Sequence, residues 1–220
     1  MTDSGTFSHA KPAGLGGRSP VADPSAAAPA GIAVSGQDVL LATKFHVPGP
    51  PPGFVPRRRL VEALAEGLAR GRVLVCAPAG SGKTALLADW CRGGGRSVAW
   101  LGLDAGDSDP ARFWRYAVAA LDRVRPGLAG RVGPPPPGSS DGLVTALINE
   151  LAADPGPDEV LLVLDDYHLV DSEPVHESVA FLLENPPPGL RVVISGRADP
   201  PLPLARLRAG RVHVGAVWCR

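Results

Sequence analysis

The stretch that decides the fold is RVLVCAPAGSGKT, residues 72–84. Its first five residues, 72–76, form a short apolar run that predicts a strand. Residues 84–91, TALLADWC, continue from it with helical composition. A glycine-containing loop that leaves a strand and opens a helix is the context in which the pattern G-x-x-x-x-G-K-[ST] binds phosphate.

The loop between strand and helix has the residues that phosphate binding requires. Gly80 and Gly82 can adopt backbone angles closed to other residues, so that backbone N–H groups approach an anion closely. We expect Lys83 to reach the β- and γ-phosphates and Thr84 to bind Mg²⁺. The first glycine of the pattern is replaced by Ala77. The alternative is a strand-to-helix turn with an incidental Lys-Thr pair. The predicted nucleotide-binding loop comprises Ala77, Pro78, Ala79, Gly80, Ser81, Gly82, Lys83 and Thr84.

An acidic pair follows a second apolar run. Residues 160–164, VLLVL, lead into Asp165 and Asp166. Carboxylates at the carboxyl end of a parallel strand face the crevice where ligands bind. We expect Asp165 to hold Mg²⁺ through water and Asp166 to orient or deprotonate an attacking water, on a strand that neighbours the first. The alternative is that both acids cap a turn.

Arginines supply two further candidates. Residues 191–195, RVVIS, predict a strand beside the first one, and Arg197 follows it, placed to sense the terminal phosphate of a nucleotide. A surface arginine in a loop is the alternative. Residues 57–59, RRR, either touch the nucleotide or form a solvated helix start.

The rest of the chain alternates strand and helix patterns. With near-continuous apolar strands, this alternation indicates a three-layer α/β domain with a mostly parallel sheet of about five strands. Asp109 and Pro110 have the residue types of an N-cap and a first helical position. Residues 40–45 look extended, and the Pro-rich residues 48–56 cannot be helical. Further helices are predicted over 58–70, 110–121, 143–151 and 175–183, with strands over 98–103 and 211–217.

Composition bounds the class of protein. Among 220 residues, 22 Lys and Arg balance 22 Asp and Glu, which excludes a strongly basic nucleic-acid-binding chain. The three cysteines are far apart and favour reduced thiols. No run approaches 18 apolar residues, and the N-terminus lacks a secretory signal, so we expect a cytoplasmic protein without a membrane span. Residues 1–38 predict a disordered Gly/Ala/Pro-rich tail, and residues 39–220 the domain.

Several longer stretches resemble one family. APAGSGKTALLADW, SVAWLGLDAGDSDPARFWRY and LVLDDYH, with the later string SGRADPPLPLARLR, are similar to the N-terminal ATPase module of large, ATP-binding, MalT-like regulators of the LuxR type. These regulators belong to the STAND class of P-loop ATPases. The resemblance runs over about residues 40–208, and alanine at position 77 is usual in this family.

The resemblance implies an ATP/ADP switch with Mg²⁺. It assigns Lys83 and Thr84 to phosphate and Mg²⁺ (Walker A), Asp165 and Asp166 to Mg²⁺ and water (Walker B), and Arg197 to phosphate sensing. Hydrolysis is expected to be slow, and the ATP state to self-associate. In such regulators DNA is bound by a C-terminal helix-turn-helix, which no residue here matches.

These regulators are several times longer, so we expect a truncated or frame-shifted regulator, or a natural fragment. Two alternatives remain: a stand-alone P-loop ATPase or kinase, and an inactive fragment that only interacts with partners.

Overall fold

A computed structural model describes residues 40–69, 71–134, 141–209 and 213–218. The predicted tail over residues 1–38 lies outside this range, as does Cys219. Cys76 and Cys91 are both buried.

The described residues contain one five-stranded sheet in the order β2-β3-β4-β1-β5, and every neighbouring pair is parallel. This confirms the predicted fold class and the position of the fourth strand beside the first. The strands are β1 (Gly71–Cys76), β2 (Ser97–Gly102), β3 (Val160–Asp165), β4 (Leu190–Gly196) and β5 (His213–Trp218).

Helices follow the strands and cover the sheet. They are α1 (Arg58–Ala69), α2 (Lys83–Gly93), α3 (Pro110–Asp122), α4 (Leu128–Val132), α5 (Asp141–Ala153), α6 (Glu173–Glu184) and α7 (Leu204–Ala209). The N-cap prediction for α3 is confirmed, because Asp109 Oδ1 accepts the Arg112 N–H at 2.7 Å and Pro110 is the first helical residue. The short helices α4 and α7 were not predicted, since five or six residues show too little periodicity.

Two hydrophobic clusters sandwich the sheet. One joins α1 and α2 to one face, and it includes Trp90 and Trp100. The other joins α3, α5 and α6 to the opposite face, and it includes Trp114. All six residues of β3 are buried, as its uninterrupted apolar run predicted. The three tryptophans therefore pack helices against the sheet.

Two predictions about the chain path are wrong. Residues 40–45 are not extended throughout: Ala42–Phe45 forms a 3₁₀ turn. Apolar composition alone favoured a strand, but long-range contacts of Lys44 and Leu41 with the β2–α3 region hold the turn. The acidic pair was expected on a strand neighbouring β1, yet β4 lies between β1 and β3. Strand order depends on packing between distant segments, which no local pattern records.

None of the helices in the described part of the chain is long and apolar enough to cross a membrane.

Candidate functional site

We call residues 77–84, which connect β1 to the start of α2, the phosphate loop. Its backbone has the conformation that its glycines predicted. Gly80 has φ 75° and Gly82 has φ 82°, both in the left-handed region where a side chain would be strained. The first turn of α2 starts where Leu86 N–H donates to Gly82 O at 2.9 Å. The first N–H groups of a helix have no acceptor within the helix, so an anion can accept hydrogen bonds from them.

Lys83 opens α2 and is 6% exposed. Its Nζ donates to Ala77 O at 2.8 Å and to Pro78 O at 3.1 Å, within the same loop. The loop is also tied to its neighbours. Ala77 N–H donates to Gly196 O at 3.2 Å, and Arg57 Nη1 donates to Ser81 O at 2.8 Å. Carbonyl oxygens of the phosphate loop therefore hold the Lys83 ammonium group in place.

Asp165 ends β3 and is 4% exposed. The Ser195 hydroxyl on β4 donates to Asp165 Oδ1. The Thr84 side chain lies near enough to this carboxylate to favour its charged form. Burial raises the pKa of Asp165, while the hydrogen bond from Ser195 and the nearby Thr84 oppose that rise. Ser195 therefore bridges the gap that the intervening strand leaves, and Thr84 links the acid to the phosphate loop.

Asp166 differs from Asp165 in exposure. It has φ 58°, a left-handed conformation, and its side chain is 43% exposed. Its N–H donates to Ser195 Oγ at 3.2 Å. His168 Nδ1 lies 3.7 Å from Asp166 Oδ1, and burial lowers the pKa of His168. The two acids thus offer one buried carboxylate beside the loop and one accessible carboxylate.

A cavity of about 370 Å³ opens over the phosphate loop. Its lining comprises Asp166 and Arg197 together with these residues of the loop and α2: Ala79, Gly80, Gly82, Lys83, Thr84 and Ala85. The lining also includes a wall of Pro48, Gly49 and Pro51 from the Pro-rich segment. This space brings a cation, a hydroxyl, an acid and a second cation to one ligand-sized volume.

Most of the predicted site residues line one cavity: Ala79, Gly80, Gly82, Lys83, Thr84, Asp166 and Arg197. The lining does not include Asp165, Ala77, Pro78 or Ser81. Of the arginine triplet, Arg57 contacts the loop, whereas Arg58 and Arg59 are exposed in the first turn of α1.

Sequence reasoning missed two contributors. Ser195 gave a weak signal, because a polar residue ending a buried strand often faces a site. The Pro-rich wall gave none, because no local pattern states which surface such a segment covers.

The residues present fit a magnesium nucleotide. Mg²⁺ is commonly held by one or two carboxylates together with phosphate oxygens, and Thr84 and Asp165 supply a hydroxyl and a carboxylate side by side. Among the described residues, no group of three His, Cys, Asp or Glu side chains could hold a metal by itself. Phosphate oxygens of a bound nucleotide would complete a donor set of one hydroxyl and one carboxylate.

Comparison with known proteins gives relatives of two kinds. The HTH-type transcriptional regulator MalT of Cronobacter sakazakii is 34% identical over 174 residues, which cover 77% of this chain and 19% of that protein. The serine/threonine-protein kinase PknK of Mycobacterium tuberculosis is 32% identical over 176 residues, covering 77% of this chain and 16% of the kinase. The chain thus spans less than a fifth of the length of these relatives.

No family model matches the chain. Among solved structures, the Aeropyrum pernix ORC1 protein in complex with DNA aligns with a TM-score of 0.49 at 20% identity, covering 77% of this chain and 46% of that one. The Walker-type ATPase PABY2304 of Pyrococcus abyssi aligns with a TM-score of 0.47 at 13% identity, covering 77% of this chain and 55% of that one.

Proposed function

We propose that this chain, a MalT-like P-loop ATPase module, binds ATP or ADP with Mg²⁺ and acts as a slowly hydrolysing switch of a transcriptional regulator. The observation that carries the proposal is the cavity over the phosphate loop, where Lys83, Thr84, Asp166 and Arg197 converge. A volume of about 370 Å³ lies within the range of small-ligand pockets.

Each residue has a distinct proposed role. The loop amides and Lys83 neutralise the phosphates, for which Lys83 Nζ exchanges its two loop carbonyls for phosphate oxygens. Thr84 and Asp165 hold Mg²⁺, which when bound neutralises charge on the β- and γ-phosphates. Asp166 is accessible enough to hold a water for attack on the terminal phosphate. Arg197 reaches the same phosphate from the end of β4.

The proposed switch role rests on which proteins contain a segment similar to this chain. The matched segment occurs in proteins named as a transcriptional regulator and as a protein kinase, and it is less than a fifth of each. A domain shared by proteins with different outputs suits nucleotide-dependent control better than one reaction on a dedicated substrate. We propose self-association in the ATP state, DNA contact only through a separate helix-turn-helix, and a cytoplasmic location.

Titration calorimetry of ATP and ADP with Mg²⁺ tests the site. Lys83→Ala is expected to abolish binding, because the phosphates lose their only side-chain cation inside the loop. Arg58→Ala, at an exposed position in the first turn of α1 that does not line the cavity, is the matched control and should bind as the parent chain does. Unchanged ATP affinity in Lys83→Ala would refute the site.

Product analysis separates the switch from its alternatives. Slow release of inorganic phosphate from ATP is the expected result. Transfer of phosphate to an acceptor other than water would instead favour a P-loop kinase. If neither ATP nor ADP raises the melting temperature, the chain is an inactive fragment with interaction capacity only.

A further inference from the structure

We infer that Lys44 is a positioning residue for nucleotide binding, because its ion pairs with the fully buried Asp107 and the half-exposed Asp104 seat the segment that forms one wall of the cavity. We call residues 40–56 the strap. The inference rests on the proposed nucleotide site and adds a residue that lies outside the phosphate loop and the acidic strand end.

Lys44 anchors the strap to the region between β2 and α3. It is 7% exposed, and its Nζ lies 2.9 Å from Asp104 Oδ2 and in closer contact with Asp107 Oδ2. The same Nζ stands 4.5 Å from the centre of the Tyr116 ring. Beside it, Leu41 N–H donates to the Tyr116 hydroxyl at 3.1 Å.

Asp107 makes this anchor specific. It is fully buried and also accepts from Arg112 Nε at 3.2 Å and from Asp104 N–H at 2.8 Å. Removing one partner of a buried ion pair leaves an uncompensated charge, which is strongly unfavourable. Lys44 is the residue of the strap that pairs with Asp107. The strap therefore has one preferred position against the region between β2 and α3.

The strap is held at its other end as well. Arg57, the residue that follows it, donates to Ser81 O of the phosphate loop at 2.8 Å. Between these two attachments lie Pro48, Gly49 and Pro51, which line the cavity. Only Phe45, His46 and Val47 separate Lys44 from Pro48, and the backbone of Val47 is restricted because it precedes a proline, so this short segment carries a shift at Lys44 to the wall.

The residue types of the cavity wall formed by the strap indicate which part of a nucleotide this wall contacts. Pro48, Gly49 and Pro51 have no charge and no side-chain donor, and Pro48 and Pro51 also lack a backbone N–H. Such a surface suits the base and ribose and has little to offer phosphates, which Lys83 and the loop amides serve. Loss of the Lys44 anchor should therefore weaken binding of a whole nucleotide and leave binding of its phosphate chain intact.

The test compares ATP with inorganic tripolyphosphate by calorimetry on the full chain, both with Mg²⁺. In Lys44→Met we expect ATP binding to weaken by about tenfold and tripolyphosphate binding to change by less than about twofold. Lys44→Arg keeps the charge and should retain ATP binding within about threefold. Hydrogen exchange over residues 45–56 should quicken in Lys44→Met and stay as in the parent in Lys44→Arg.

If Lys44→Met does not fold, Lys44→Met with Asp107→Asn carries the test, because it removes both buried charges together. Unchanged ATP affinity in a folded variant overturns the inference, as does an equal loss for both ligands. A parent chain that binds tripolyphosphate as tightly as ATP overturns it too, while leaving the phosphate site in place. A parent chain that binds neither ligand refutes the proposed function itself, and the inference with it.

Discussion

Ser195 on β4 donates its hydroxyl hydrogen to the buried carboxylate of Asp165 on β3, and the same oxygen accepts the N–H of Asp166. One hydroxyl thereby joins the end of the strand beside β1 to both acids of the site. The hydrogen bond from Ser195 to Asp165 matters for stability, because Ser195 is fully buried and Asp165 is 4% exposed. An unsatisfied buried acceptor has no water to replace a lost donor.

Replacing Ser195 with alanine is expected to lower the free energy of unfolding by about 1–3 kcal/mol at pH 7. Asp165 already has a raised pKa, and losing a donor to its charged form raises that pKa further. The native state then holds a proton that the unfolded state releases, so the deficit should grow as pH rises from 5 to 7. Urea denaturation at the two pH values measures it.

Ser195→Thr keeps the hydroxyl and serves as the control for the alanine variant. If Ser195→Ala lowered the free energy of unfolding by the same amount at pH 5 and at pH 7, Asp165 would not be the titrating group that the substitution affects.

Replacing Asp165 with asparagine is expected to stabilise the protein while weakening Mg²⁺-dependent nucleotide binding. Burial disfavours the charge of this carboxylate, and the asparagine oxygen can still accept from Ser195. We expect a gain of about 1 kcal/mol in the free energy of unfolding, read as a higher melting temperature. Calorimetry of ATP with and without Mg²⁺ should show that the benefit of the ion is lost.

The matched variant for that prediction is Asp166→Asn. Its side chain is 43% exposed, and asparagine accepts the left-handed backbone at this position, so stability should change by less than about 0.5 kcal/mol. A chain destabilised by Asp165→Asn would contradict the reading of Asp165 as a buried charge held for function.

Arg57 and Arg58 are adjacent and both exposed, but Arg57 alone is seen to donate to the phosphate loop, at 2.8 Å from Ser81 O. Arg57→Ala should weaken ATP binding by about three- to tenfold, the effect of one hydrogen bond that holds the loop in shape. Melting temperature should hardly move, because the contact is exposed. Arg58→Ala should leave both quantities unchanged, and equal effects of the two substitutions would mean that general positive charge matters instead.

His176 should make stability depend on pH. It is buried, its Nδ1 lies 2.9 Å from the Tyr167 hydroxyl, and burial lowers the pKa of His176. The unfolded state therefore binds a proton at a higher pH than the native state does. Stability is present above the unfolded pKa of about 6.5 and is lost as pH falls below it.

Chemical denaturation between pH 7.5 and 5.5 measures this loss, and His176→Gln should reduce the slope. The pKa of His168 is lowered in the same direction, so the double variant with His168→Gln should flatten the slope further. A slope that both variants share with the parent chain would place the titrating group elsewhere.

Much of the fold could be predicted from the sequence, because the patterns that indicate these elements involve residues close together in the chain. The apolar run of β3, the strand–loop–helix around Lys83 and the Asp109–Pro110 start of α3 each depend on neighbouring residues, and each appears where it was predicted. The glycines at positions 80 and 82 adopt the left-handed angles that the loop requires. Wrong or missed elements, such as the 3₁₀ turn at Ala42–Phe45, owe their form to distant partners.

The amino-acid order alone therefore determined the class of fold and the cluster of groups suited to a nucleotide, since backbone preference and hydrophobic periodicity act over a few residues. Only the folded chain decided that β4 separates β1 from β3, that Ser195 spans the difference, and that Lys44 brings the strap to the cavity. These relationships join residues about 30 to 60 positions apart. Burial then makes such polar contacts selective, because a charge removed from water is stable only where its particular partner is in reach.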